Sequence, residues 1–268
     1  MSESALDGFT ESTFTHDRVS RQVFRTGTGP AVIVIHEVPG LHPEVIAFGR
    51  RVVDAGFSVY MPSLFGTPGK KVGVGYAIRS ITSACVAREF VTFALDRTSP
   101  IIGWLRRLAA AAHAECGGPG VGAVGMCFTG GFALGMMVDE TMLAPVLSQP
   151  ALPFALGNAR KAAVGISDAD LERVKVRAAE GTCVLGLRFS ADLAVPPQRF
   201  ETLRRELGDA FIASKSTRHV ATPTGSSGTR TPFSQSNSST SPATRRAPRS
   251  SRCWHSCRSD CATPLDFR

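Results

Sequence analysis

Cys127 is the residue whose surroundings best suit nucleophilic chemistry. It lies in the stretch VGAVGMCFTGGFAL, which runs from Val121 to Leu134. Apolar residues before the cysteine predict a buried strand, the glycines predict a tight turn, and the apolar residues after it predict a helix. At such a turn the first helical N–H groups can lower the pKa of a thiol and hold an oxyanion. The alternative is a structural cysteine in a glycine-rich turn, since small buried cysteines are common.

Strand and helix signals alternate around this stretch. Ala31–Ile35 is continuously apolar and β-branched, as a central parallel strand should be. A helix is predicted over Pro43–Ala55 and a strand over Phe57–Met61, which together form a βαβ unit. The sequence therefore predicts the α/β class, with a mostly parallel central sheet and helices on both faces. Later predictions are a helix over Asp168–Ala179 capped by Ser167, a strand over Thr182–Leu187, a helix over Pro197–Leu207 and a strand beginning at Ala210–Ala213.

The positive charge is concentrated at the end of the chain. The formal net charge is +8, and residues 214–268 contain nine Lys and Arg against two Asp and Glu. The same segment holds 21 Ser and Thr and has no periodic apolar face, which indicates disorder. We therefore divide the chain into a flexible lead-in over residues 1–17, one domain over residues 18–213, and a disordered basic tail over residues 214–268.

Several partner classes find little support in the sequence. An apolar run of about 18 residues and a signal sequence are both missing, so we expect no membrane span and a cytoplasmic location. The basic residues of the tail are scattered among Ser and Pro, which argues against a nucleic-acid partner. Cys253, Cys257 and Cys261 form only one cluster, so we predict no metal and no other cofactor. Nothing in the sequence indicates an oligomeric state.

Three segments together resemble the dienelactone hydrolase family of α/β-hydrolases. They are VIHEVPGL at residues 34–41, GMCFTGG at residues 125–131 and SADLAVP at residues 190–196. The resemblance covers roughly residues 20–213, and Thr129 departs from it where many members have glycine. It implies the α/β-hydrolase fold with a strand–nucleophile–helix elbow, and hydrolysis of small esters or lactones through a cysteine acyl-enzyme.

The resemblance also implies roles for individual residues. Cys127 is the nucleophile, Asp192 orients a histidine, and Glu37 lies beside the thiol and helps to control its ionisation. The backbone N–H groups of Phe128 and of the turn at Val38 form the oxyanion hole. Thiol chemistry of this kind also needs a base that takes or holds the thiol proton.

Each of the other polar residues has a structural alternative. Asp192 could cap a turn, and Glu37 could be a carboxylate near a helix start. His36 adjoins Glu37 but faces the opposite side of a strand, so we interpret it as structural. Arg79 and Arg88 could bind a substrate carboxylate, although a solvated helix face explains each of them as well.

The triad histidine is not evident. In this fold it follows the acid, and only His219 and His255 lie beyond Asp192. Neither has a predicted strand followed by a loop, and His219 is the better candidate. A reading-frame shift near Ala213 would explain the tail, because serine codons read one base earlier encode aliphatic residues or Phe. One codon choice for the neighbouring frame restores a loop with His-Ser-Val-Leu. We therefore expect an impaired hydrolase; the alternative is a non-catalytic binding protein on a hydrolase scaffold.

Overall fold

An eight-stranded β-sheet forms the centre of the protein in the computed structural model, which describes residues 5–73, 99–151, 157–189 and 195–216. The strands are β1 Thr10–His16, β2 Val19–Thr26, β3 Ala31–Ile35, β4 Ser58–Pro62, β5 Val121–Met126, β6 Met142–Ser148, β7 Val184–Phe189 and β8 Phe211–Ser216. Their spatial order is β1-β2-β4-β3-β5-β6-β7-β8. The pairs β1–β2 and β2–β4 are antiparallel, and the remaining pairs are parallel.

Helices cover both faces of this sheet. They are α1 Pro43–Asp54, α2 Pro100–Cys116, α3 Gly130–Met136, α4 Gly157–Ala162, α5 Asp168–Ala179 and α6 Pro197–Leu207. The central strand β3 shows the arrangement directly. Ile33 and Ile35 pack with buried side chains of α2 and α3, whereas Val34 packs with those of α1. Because successive side chains of a strand face opposite sides, an unbroken apolar strand requires a core on each side. The predicted fold class is confirmed.

Several elements begin and end at the predicted residues. β3 covers Ala31–Ile35, α5 covers Asp168–Ala179 and α6 covers Pro197–Leu207. The Ser167 hydroxyl caps α5 by accepting a hydrogen bond from the Asp170 N–H at 3.2 Å. The signals of these elements are local: an unbroken apolar run in β3, a cap before α5 and a first-turn proline in α6. None of the described helices combines the length and the hydrophobicity of a membrane span.

Residues 10–16 form the edge strand β1, although the sequence predicted a flexible lead-in over residues 1–17. β1 pairs with β2 along its whole length, and most of its side chains are exposed. Phe14 makes an edge-to-face contact with Trp104, with the ring centroids 5.3 Å apart. An edge strand with one neighbour and a solvated face lacks a continuous apolar pattern, which is why the sequence did not indicate it.

The last strand also differs from its prediction. β8 runs to Ser216, three residues beyond the predicted boundary at Ala213. Ser214 and Lys215 pair with Leu187 and Arg188 of β7. This pairing uses backbone groups, so polar side chains do not end the strand. The further division of the chain into a domain and a tail stays a prediction, because residues 217–268 lie outside the described part.

Arg199 on α6 is buried, with only 2% of its surface exposed. Its guanidinium donates to the carbonyl oxygens of Ala163 and Pro150 at 2.6 Å each, and to that of Arg160 at 3.4 Å. A buried charge is tolerated only where its donors are hydrogen-bonded. Arg199 therefore joins α6 to both ends of the segment that follows β6.

We expect Arg199→Met to lower the free energy of unfolding by about 3 kcal/mol, because it leaves buried carbonyl groups without their donors. Arg204→Met is the matched control, since Arg204 lies exposed on the same helix. The control should change stability by less than about 0.5 kcal/mol. Urea denaturation of both variants measures the difference, and equal midpoints would contradict the assignment.

Candidate active site

Cys127 lies at a sharp turn between β5 and α3. Its φ is +55°, a left-handed conformation that residues other than glycine rarely adopt. The residue begins a 3₁₀ turn over Cys127–Thr129 that leads directly into α3. The chain doubles back so tightly that a Cβ on Gly125 would lie 2.2 Å from the Thr129 carbonyl oxygen. This is the strand, strained turn and helix that the sequence predicted.

The buried Thr129 hydroxyl fixes this turn to the neighbouring strand. It accepts a hydrogen bond from the Met126 N–H at 2.9 Å. Its proton can be donated to the carbonyl oxygen of Met126 at 2.7 Å or to that of Ile35 at 3.1 Å. Thr129, which departs from the family pattern, therefore contributes polar contacts that glycine could not make.

The pairing of β3 with β5 places Glu37 and Cys127 at corresponding positions. Ile35 is aligned with Gly125, so each of the two candidate residues lies two positions beyond a member of this aligned pair. Adjacent strands lie about 5 Å apart, and parallel strands end at the same edge of a sheet. The backbone at Glu37 is thus brought next to the elbow.

His36 supports the loop that carries Glu37. Its Nε2 accepts a hydrogen bond from the Leu64 N–H at 3.0 Å, so its proton is on Nδ1, which donates to the Glu37 carbonyl oxygen at 2.9 Å. The same carbonyl accepts the Gly40 N–H at 2.9 Å, which closes a turn around Val38. His36 has no exposed surface, and burial lowers its pKa to about 4. Its role is structural, as interpreted from the sequence.

Aromatic rings line the core beneath the elbow. Phe128 stacks on Phe65 with centroids 5.7 Å apart and meets Phe132 edge to face at 5.8 Å. Phe65 also meets the His36 ring at 4.4 Å. Val38 and Cys127 pack against the same apolar cluster. The loops after β3, β4 and β5 therefore share one packed base.

The Glu37 carboxylate contacts a histidine that the sequence reasoning missed. His42 precedes the first residue of α1 and is almost fully buried. Its Nε2 lies 3.5 Å from Glu37 Oε1, and its Nδ1 lies 2.7 Å from Glu44 Oε2. The Glu37 carboxylate, followed by Glu44, raises the pKa of His42 against the effect of burial. A histidine flanked by acidic residues at a helix start was the available signal.

Four predicted site residues lie outside the described residues: Arg79, Arg88, Asp192 and His219. Hydrogen bonds hold the described residues on both sides of the segment that contains Asp192. Gln149 Oε1 accepts the Phe189 N–H at 3.0 Å, and Arg188 Nε donates to the Val195 carbonyl at 2.9 Å. Both contacts lie at the carboxyl end of β7, the edge of the sheet at which β5 reaches Cys127.

Residues 21–153 match the model of the Dienelactone hydrolase family. Over this range, the chain belongs to the dienelactone hydrolase family. The matched range includes the Glu37 loop and the Cys127 elbow, and it ends before Asp192. By family, the protein is a hydrolase. No curated protein matches the sequence.

Solved structures share the fold at low sequence identity. A Klebsiella pneumoniae protein assigned as a dienelactone hydrolase is 17% identical, with a TM-score of 0.53 over 80% of this chain and 85% of that one. A cold-adapted esterase from an Arctic intertidal metagenomic library is 16% identical, with a TM-score of 0.50 over 81% and 87%. A mutant of the haloalkane dehalogenase DatA from Agrobacterium tumefaciens is 11% identical, with a TM-score of 0.51 over 81% and 92%. At these identities the likeness concerns the fold alone.

We find no cluster of metal-binding side chains among the described residues. Within residues 5–73, 99–151, 157–189 and 195–216, no group of three His, Cys, Asp or Glu residues is arranged to hold a metal ion. Among the described residues, the elbow and the loop after β3 carry a thiol, a carboxylate and backbone N–H groups.

We expect Gly125→Ala to destabilise the protein by about 2–3 kcal/mol, because the added Cβ collides with backbone at the elbow. Gly103→Ala is the matched control. A Cβ at Gly103, inside α2, meets nothing within 4 Å, so this variant should be neutral or more stable by up to about 1 kcal/mol. Chemical denaturation tests both, and a Gly125→Ala protein as stable as the wild type would refute the tight turn.

We expect the buried His36 to make the protein less stable in acid. Since its pKa is lowered to about 4, the unfolded chain binds its proton below the ordinary value of 6.5 while the folded chain does not. The His36 contribution is complete above pH 6.5 and is lost as the pH falls towards 4, by about 3 kcal/mol in total. His36→Gln, which does not titrate, should show a shallower pH dependence in urea denaturation. Parallel curves for the two proteins would contradict this.

Proposed function

We propose that the protein cleaves small esters or lactones through an acyl-enzyme on Cys127, and that its turnover is impaired. The observation that carries the proposal is the left-handed Cys127 between β5 and α3, at a turn that a side chain on Gly125 would obstruct. A strained turn lifts the nucleophile clear of the sheet. Strain of this kind is retained at functional sites more often than elsewhere.

The reaction has two steps. The Cys127 thiol loses its proton and the thiolate attacks the carbonyl carbon. The C–O bond then breaks to give a thioester, and the leaving alkoxide takes up the proton that the thiol lost; in a lactone the resulting alcohol stays attached to the acyl chain. Water then attacks the thioester, which releases the carboxylic acid and restores the thiol. The N–H groups of Phe128 and Val38 hold the oxyanion in both steps.

Residues beyond the described ranges complete the proposed site. Asp192 orients the base, and its flanks support this because they are anchored at the carboxyl end of β7. If the tail is genuine and not frameshifted, His219 is the candidate base, since it follows the end of β8 by three residues. Arg79 and Arg88 bind a substrate carboxylate through guanidinium hydrogen bonds.

The impairment follows from the tail. We propose that a reading-frame shift near Ala213 replaced the segment that encodes the usual histidine loop, so that acylation persists and hydrolysis of the thioester is slow. Sequencing the source DNA across codons 205–268 tests this. A neighbouring frame that encodes His-Ser-Val-Leu and an aliphatic segment supports the shift, and a frame closed by stop codons refutes it.

The hydrolase proposal predicts a burst. A chromogenic phenyl acetate ester should release about one equivalent of phenol per chain, followed by slow turnover, and mass spectrometry should find one acetyl group on Cys127. Cys127→Ala should abolish the burst and the adduct. Cys116→Ala is the matched control, since Cys116 is a second partly buried thiol, and it should leave both unchanged.

Other outcomes of this experiment identify the alternatives. Fast turnover that falls at least about tenfold in His219→Ala refutes the impairment and makes His219 the base. A lactone analogue that protects Cys127 from alkylation without forming an adduct identifies a non-catalytic binding protein, and turnover that survives Cys127→Ala refutes the nucleophile.

A further inference from the structure

The His42 ring lies between two carboxylates, and each of them is close to a different ring nitrogen. Nδ1 lies 2.7 Å from Glu44 Oε2, and Nε2 lies 3.5 Å from Glu37 Oε1. Only 8% of the side chain is exposed. A neutral imidazole carries one N–H and can serve only one of these acceptors, whereas the imidazolium serves both. The arrangement therefore suits the charged ring.

The other described titratable or charged groups close to His42 are engaged elsewhere and do not contact the Glu37 carboxylate in its place. His36 is the other titratable ring close to His42; it is buried, and both of its nitrogens are engaged by Leu64 and Glu37 backbone groups. Lys71 interacts with Glu44, and Arg21 interacts with His36. Among the described residues, His42 is thus the cationic group in direct contact with the Glu37 carboxylate.

The two contacts of the ring are unequal, and this sets the order in which they are lost. When His42 gives up a proton, the remaining N–H stays with the closer acceptor, Glu44 at 2.7 Å. The 3.5 Å contact with Glu37 is the weaker one and loses its donor. Deprotonation of His42 therefore frees the carboxylate that follows β3.

We infer that protonated His42 is a positioning residue that holds and neutralises the Glu37 carboxylate beside the Cys127 elbow, and that loss of its proton releases Glu37. The inference rests on the proposed function, in which Cys127 is the reactive thiol. The link between the two residues is the register that aligns Ile35 with Gly125. A free carboxylate near a thiol disfavours the thiolate, so release of Glu37 makes Cys127 less reactive.

The test is the rate of Cys127 alkylation by iodoacetamide as a function of pH, read for each cysteine by peptide mass spectrometry. His42→Asn should slow Cys127 alkylation at pH 7 at least threefold and shift its pH profile to higher pH. Adding Glu37→Gln to His42→Asn should restore the rate to that of Glu37→Gln alone. His16→Asn is the matched control, since His16 lies on the edge strand β1 beside Asp17, and it should change nothing.

Two results would overturn the inference. One is a His42→Asn protein with the wild-type pH profile at Cys127. The other is a slowing that persists in the Glu37→Gln background, because His42 would then act on the thiol without Glu37.

If His42→Asn does not fold, the protonation state of His42 can be measured in the wild-type protein instead. Nitrogen-15 NMR of the imidazole should show both His42 nitrogens protonated at pH 6.5, and Glu37→Gln should lower the pH of that transition. A neutral ring at pH 6.5 refutes the inference. A wild-type Cys127 that alkylates no faster than Cys116 contradicts instead the proposed function, so the two failures are distinguishable.

Discussion

The alignment of β3 with β5 is the constraint on which the candidate site depends. It sets Ile35 against Gly125, and thereby brings the Glu37 loop and the Cys127 elbow to the same height at one edge of the sheet. A shift of one residue in the pairing register would turn each β3 side chain to the opposite face of the sheet. Val34 and Ile35 would then each point into the apolar cluster that the other one occupies. The Thr129 hydroxyl reinforces this alignment at the point where the strands end.

Polar contacts at this edge connect loops that apolar packing alone would leave adjustable. His36 uses one ring nitrogen for the loop after β4 and the other for the loop that carries Glu37. A buried imidazole with both nitrogens engaged has a single preferred orientation. The backbone near Val38 is therefore held in one conformation, as the proposed oxyanion hole would require.

The sequence predicted those parts of the molecule whose signals are local. The elbow at Cys127 and the capped helix that follows Ser167 are determined by glycines, caps and apolar periodicity within a few residues. β1 was missed because an exposed edge strand carries no such pattern. His42 was missed because its contact with Glu37 arises only when the turn after β3 folds back on the start of α1. Asp192 and His219 lie outside the described residues and stay predictions.

Arg199 has a consequence for the order in which the domain assembles. Its three carbonyl partners lie 36 to 49 positions earlier in the chain, on the segment that follows β6. A partly docked α6 would strip water from the guanidinium before those carbonyls were in place, which is costly for a charged group. Docking of α6 and closure of the preceding crossover are therefore favourable only together. The C-terminal half of the sheet gains its cooperativity from one side chain as well as from its apolar core.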